Sequence, residues 1–189
     1  MSTPTTLDLN GTWDLDPSHT RLGFAARHAM VATVRGGFEV FSGTIAIDEA
    51  NPEKSTAEVE IDAASITSGN EQRDAHLRSP DFLDVENFPV ITFRSAYAEV
   101  VGDDEYKLHG ELVIKGVAKP VTLDLEFQGS SPDPFGNFRA GFEGRTTINR
   151  KDWGLGWNVA IEGGGILVGE KVKLELDVSA IKRTDVPAE

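Results

Sequence analysis

The chain has 189 residues, of which 39% are hydrophobic and 26% charged, and a formal net charge of -13. That length fits one domain, and that apolar content is enough for a core. The negative charge argues against nucleic acid as a partner and against general adhesion to anionic lipid. The absence of cysteine excludes disulfides, thiolate metal sites and cysteine nucleophiles.

The opening residues MSTPTTLDLNGTW lack the apolar run of a signal peptide. No stretch approaches the roughly 18 apolar residues of a spanning helix. These features give the expectation of a cytoplasmic protein without an integral membrane segment.

In chain order, Gly11–Leu15, Arg21–Ala29 and Val34–Ile47 read as the first strands. Within Val34–Ile47 the apolar phase slips, with Phe38 and Val40 on one parity and Phe41, Ile45 and Ile47 on the other. A bulge near Gly36–Gly37 or at Phe41 would account for the slip. Glu49–Lys54, with Asn51-Pro52, reads as a turn. Ala57, Val59 and Ile61 then alternate with Glu58, Glu60 and Asp62, the period of a strand with one wet face.

Ala63–Phe88 breaks the alternation. Here Asn70–Leu77 is expected to be a short helix with Ser68 or Asn70 as N-cap, and Ser79–Asp84 a second short turn. Alternation resumes in Val90–Val101 and Tyr106–Ile114. Lys115–Pro120 is expected to be a tight connection through Gly116. The clearest runs follow: Val121, Leu123, Leu125 and Phe127, then Val172, Leu174, Leu176 and Val178, with Phe138–Asn149 between them. Ser130–Asn137 reads as a turn and the triple Gly163–Gly165 as a hairpin tip.

About eight long antiparallel strands with a helical insertion form a sandwich or a barrel. A barrel of that size either fills its interior with side chains or holds one small ligand. Ten Phe against two Tyr suit an apolar interior, but composition alone favours a packed core.

Arg73, Asp74, His76 and Arg78 form the densest polar cluster. They either latch a barrel end through ion pairs or clamp an anion. A metal site is not expected, because the four histidines show no chelating spacing. No nucleophile elbow and no phosphate-binding glycine loop is present. Asn149, Arg150, Asp152, Trp153 and Trp157 form a second cluster, suited to a barrel mouth or a barrel corner.

Five stretches carry a family resemblance. They are WDLDPSHTRLGFAARH (Trp13–His28), RGGFEVFSGTIAID (Arg35–Asp48), IDAASITSGNEQRDAHLRSPDFLDVENFPVITF (Ile61–Phe93), GELVIKGVAKPVTL (Gly110–Leu123) and INRKDWGLGWN (Ile148–Asn158). Taken in order, they make the chain resemble the YceI-like family of polyisoprenoid-binding proteins, from Trp13 to about Ile181.

The resemblance implies one domain over residues 1–189, with its core at about 11–181. It implies an all-β, eight-stranded antiparallel lipocalin-like barrel with a short helical insertion between the strand halves. It also implies a long apolar interior holding a polyisoprenoid lipid (an isoprenoid quinone, or a polyprenyl phosphate or pyrophosphate) for carriage, storage or shielding. No catalytic residue and no cofactor beyond that lipid is carried over, and family analogy extends to a homodimer.

On that basis Phe24, Phe38, Phe41, Phe93, Phe127 and Phe142 are expected to line the cavity. Trp153 and Trp157 would stand near its mouth, and His28, Arg73, Arg78 and Arg150 are the head-group candidates. Two alternatives stand beside this reading. One is an enzyme acting on such a lipid, which would need at least one acid–base pair converging inside the barrel, such as Asp74 with His28 or His76. The other is a filled-core structural or interaction protein.

Overall fold

A computed structural model of the protein describes residues 8–162 and 165–184. Eleven strands and one helix follow in chain order: β1 (Gly11–Leu15), β2 (Arg21–His28), β3 (Ala32–Phe38), β4 (Phe41–Ile47), β5 (Thr56–Asp62), β6 (Ile66–Thr67), α1 (Glu71–Arg78), β7 (Val90–Val100), β8 (Glu105–Ile114), β9 (Val117–Pro132), β10 (Phe138–Asn149) and β11 (Val168–Lys182). All pairings are antiparallel.

The eleven segments make an eight-stranded closed barrel. β11 pairs with β2 through Val168–Asp177 and with β1 through Ala180–Lys182, so β1 and β2 act as one interrupted strand. In the same way β4 pairs with β1 and β3 with β2, while β5 pairs with β4 and β6 with β3. At the β1 end the ring β1-β4-β5-β7-β8-β9-β10-β11 is complete.

At the other end β6 pairs with β3 but not with β7, and α1 with the turns after it occupies that side. Leu77, Phe82, Leu83 and Val85 pack there against the barrel core. Arg78 donates from Nε to Ala64 O at 2.8 Å and from Nη2 to Ile66 O at 3.0 Å. Lys115 Nζ reaches Pro80 O at 3.0 Å from the β8–β9 hairpin.

The helix forms as its sequence suggests. The Asn70 side chain accepts from Arg73 N, and Glu71 and Asp74 lie in the first turn, where carboxylates favour the helix dipole. Ser79 organises the following turn, its carbonyl accepting from Phe82 N at 3.0 Å.

The phase slip is resolved differently from the expected bulge. β3 ends at Phe38, the chain steps through Glu39–Val40, and β4 begins at Phe41. Glu39 N and Val40 N bond to Ser65 O and Ser65 Oγ instead of a strand partner, and Val40 is exposed. Gly36 and Gly37 lie inside β3 and serve close packing: a Cβ on Gly36 would stand 2.5 Å from both the Phe24 ring and Thr67 O.

The expected connection Lys115–Pro120 is shorter than it reads. Lys115 and Gly116 alone turn the hairpin, with φ of 51° and 72° as a two-residue mirror-image turn requires. Pro120 lies within β9 opposite Glu111, where β9 pairs with β8 alone, so its missing N–H breaks no second ladder. Of the glycine triple expected at a hairpin tip, Gly163 and Gly164 lie outside the described residues. Among the described residues no helix is long and apolar enough to cross a membrane.

Candidate functional site

Alternation places every second side chain of the long strands inside the barrel. Val121, Leu123, Leu125 and Phe127 of β9 share one parity, as do Val172, Leu174, Leu176 and Val178 of β11, and all eight line a single internal cavity. Its volume is about 510 Å³, within the range of pockets that hold small molecules. The interior is therefore not filled as composition alone favoured.

The cavity runs the length of the barrel. Leu9, Ile47 and Tyr106 lie at the β1 end, where Asp48, Glu49, Ser55 and Thr56 supply most of its polar lining. Leu77, Phe82, Trp153 and Leu155 lie at the helix end with Arg150. The fully buried Trp13 packs beneath the β1 end in a separate cluster, its Nε1 donating to Leu9 O at 2.9 Å.

Of the expected aromatic lining, Phe24, Phe38, Phe93, Phe127, Phe142 and Trp153 border the cavity. Phe41 does not: it is buried beside Trp13, Leu15 and Leu22 in that second cluster. Trp157 does not border it either, being held outside between His76 at 4.5 Å and Phe82 at 5.5 Å, centroid to centroid. Trp153 is buried at the helix end, with Nε1 donating to Leu112 O at 2.9 Å, so it is a wall there and not a half-wet rim residue.

The aliphatic lining, which includes Leu22, Ile45, Val59, Ile61, Ile91, Leu108, Leu112 and Ile148, went unnamed among the expected site residues. Its signal was the strand alternation itself. Singling out aromatic residues passed over side chains of the same parity.

The four head-group candidates do not converge. His28 is exposed at the end of β2. Arg73 donates from Nε to Ser68 Oγ at 2.7 Å and from Nη2 to Ser68 O at 2.8 Å, and Arg78 is spent on Ala64 and Ile66. Arg78 ties α1 to β6 and the residues before it, Arg73 ties it to the turn that precedes it, and neither borders the cavity. The latch is made with backbone and hydroxyl partners, not with the expected carboxylate pairs. The buried Asp74 accepts from Ser68 N and Ser68 Oγ, while His76 bonds Asp81 at 2.8 Å. The pair offered as an example for the enzyme alternative, Asp74 with His28 or His76, is not brought together inside the barrel.

Arg150 is the candidate that reaches the cavity. It is 5% exposed, and its guanidinium donates to Gly169 O at 2.9 Å, Leu155 O, Trp157 O at 2.9 Å and Val168 O at 3.1 Å. Four of its five N–H groups are thus engaged by neutral carbonyls. Burial lowers its pKa from the ordinary guanidinium value, and the nearby Glu170 charge partly offsets this. A guanidinium remains protonated under such conditions, so a full positive charge stands at the helix end of an apolar cavity. Among the described residues there is no group of three or more His, Asp or Glu able to hold a metal ion.

Residues 13–180 match the YceI-like domain. The chain belongs to the YceI-like family. A UPF0312 protein of Azotobacter vinelandii is 38% identical over 142 residues, 75% of this chain and 74% of that protein. Among solved structures, the YceI protein of Campylobacter jejuni superposes with a TM-score of 0.72 at 28% identity, covering 84% of this chain and 90% of that one. A structure described as a polyisoprenoid binding domain from Saccharophagus degradans superposes with a TM-score of 0.69 at 18% identity, covering 90% and 98%, which is a likeness of fold. The YceI-like barrel of this chain thus combines an apolar tunnel with one buried cation at its helix end.

Proposed function

We propose that the protein binds a long isoprenoid lipid, such as an isoprenoid quinone or a polyprenyl phosphate or pyrophosphate, inside its barrel for carriage, storage or shielding. The observation that carries this reading is the continuous cavity of about 510 Å³, walled mostly by Leu, Ile, Val and Phe. An extended hydrocarbon entering it would gain roughly 25 cal/mol for each Å² of apolar surface removed from water, before ordering costs. Membership of the YceI-like family and the likeness in fold to a polyisoprenoid binding domain support the isoprenoid class. Among the described residues one N–H of Arg150 has no partner, and this with its charge favours the helix end for an electron-rich or anionic head.

Native mass spectrometry of gently purified protein, followed by organic extraction, tests this reading. A stoichiometric polyprenyl species is the expected result. A protein that emerges empty and takes up neither added quinone nor prenyl phosphate overturns it.

A further inference from the structure

Residues 17–38 carry three arginines and two histidines and not one Asp or Glu, in a chain whose net charge is -13. The fold places most of this stretch in the β2–β3 hairpin at the helix end of the barrel. Ala29 and Met30 turn the hairpin with φ of 48° and 63°, and the turn is braced rather than loose. Ala29 N donates to Leu167 O at 2.7 Å, and Arg27 donates from Nη2 to Met30 O at 3.0 Å and from Nη1 to Thr33 Oγ1 at 3.3 Å.

Two large apolar side chains are presented at this tip: Met30 is 56% exposed and Val31 80%. Val159, 47% exposed, lies on the neighbouring loop, whose Val159 O accepts from Leu167 N at 2.9 Å. Behind the tip, the outer face of the sheet is basic. Phe24 and Ala26 border the cavity, so Ala25 and Arg27 face outward. Arg35 on β3 and Lys173 on β11 stand opposite Ala25 on its two sides, with Lys171 one pleat nearer the tip. All four cations are exposed, and among the described residues none makes an ion pair.

We propose that the β2–β3 tip and the basic wall behind it form a docking surface for an anionic membrane, with Met30 and Val31 entering the head-group layer and Arg27, Arg35, Lys171 and Lys173 facing the lipid phosphates. Single apolar side chains standing proud of a braced turn, and not a groove, suit a deformable lipid surface better than a folded protein partner. Cations within a Debye length of an anionic leaflet each add attraction, and partly inserted apolar groups add more. The acidic remainder of the molecule is repelled, so contact is confined to this corner. Glu162 is the single carboxylate in the sequence of the loop 154–167, Glu170 at the tip end of β11 is paired with Lys151 at 2.6 Å, and Glu175 and Asp177 lie farther along β11, away from the tip. The surface lies outside the cavity and does not depend on what the barrel holds.

The test is co-sedimentation of the full chain with vesicles of phosphatidylcholine alone and of phosphatidylcholine mixed with phosphatidylglycerol, at low and high salt. The expected result is partitioning at least about tenfold stronger onto the anionic vesicles and lost in high salt. A drop of about tenfold is expected for Met30→Asp with Val31→Asp, and a similar drop for Arg35→Glu with Lys173→Glu. All four positions are exposed, so the variants keep the fold, and their uptake of added quinone stays at the level of the unaltered protein. No partitioning, equal partitioning onto both vesicles, or variants that bind as the parent does would each overturn the proposal. Sedimentation as a dimer that the Met30 and Val31 variants abolish, without vesicle binding, would reassign the tip to self-association. Loss of quinone uptake with docking intact would count against the proposed cargo and leave the surface standing.

Discussion

Phe127 on β9 and Phe142 on β10 face each other across the strand pair with ring centroids 5.4 Å apart and planes tilted by 49°. The contact sits where the register shifts between Gly141 and Phe142, so a bulge aims both rings into the cavity. Replacing both with Asp puts two carboxylates where a hydrocarbon would lie. Affinity for added quinone should fall by tenfold or more, at least about 1.4 kcal/mol, while the far-ultraviolet circular dichroism of the barrel persists. Unchanged affinity in a titration followed by ligand fluorescence quenching would remove these two rings from the site.

Arg150 makes a separable prediction. Its guanidinium gathers four carbonyls from the loop after β10 and the start of β11. Arg150→Met should cost about 2–4 kcal/mol in urea unfolding, because buried acceptors lose their donor. Arg150→Lys should recover little of that, since one ammonium cannot reproduce the planar fork. Full recovery by Lys would mean that charge alone, and not the hydrogen-bond geometry, is what the fold needs.

At the opposite end Arg139 bridges Asp16 and Asp133, with Nη1 and Nε each 2.7 Å from a carboxylate oxygen. The hydrogen bonds from Arg139 and then His19 hold the Asp16 carboxyl at about 2. Burial pushes the Asp133 carboxyl upward, but hydrogen bonds from Arg139, Asn137 and the Phe135 amide outweigh it and hold it below its usual value. A depressed carboxyl stabilises the fold above its unfolded value near 4 and loses that contribution as pH falls towards its folded value. The melting temperature should therefore drop between about pH 4 and 2. Arg139→Met should melt a few degrees lower at neutral pH and show a shallower acid decline. Parallel acid declines in thermal melts would show that the bridge contributes nothing.

Gly36→Ala tests the packing between β3 and β6. The added methyl would collide with the Phe24 ring and with the backbone oxygen of Thr67, and the second of these cannot simply swing aside. A loss of about 1–3 kcal/mol is expected. Gly156→Ala is the control, with nothing within 4 Å of the new methyl and an expected change below about 0.5 kcal/mol. Equal effects in chemical denaturation would refute the close-approach argument.

Much of the barrel was legible because most of its strands have one wet face and one apolar face, and that alternation survives in runs such as Val121–Phe127 and Val172–Val178. The breaks were less legible. The Phe38–Phe41 phase slip announced an irregularity, but a bulge and a two-residue step give the same pattern, and the bonds from Ser65 that decide between them come from 25 residues away. Cavity and packed core were indistinguishable, since both place the same side chains inward, and only the three-dimensional spacing of strands tells them apart. The polar roles were least legible. An arginine reads the same whether it meets a ligand or, as Arg73 and Arg78 do, a carbonyl of its own chain.

The pairing of Trp13 with Lys182 joins segments from opposite ends of the sequence. The ion pair between Asp14 and Arg183 beside it spans 169 positions. During vectorial synthesis, therefore, the first strand leaves the ribosome with one flank unsatisfied until the final strand follows it. Closure waits on β11, and until it pairs, β1 and β2 each keep one flank as an open sheet edge. Under the proposed function, this timing sets a window in which the wall would close around a bulky hydrocarbon as the seam zips shut, without the hydrocarbon having to thread a finished tube.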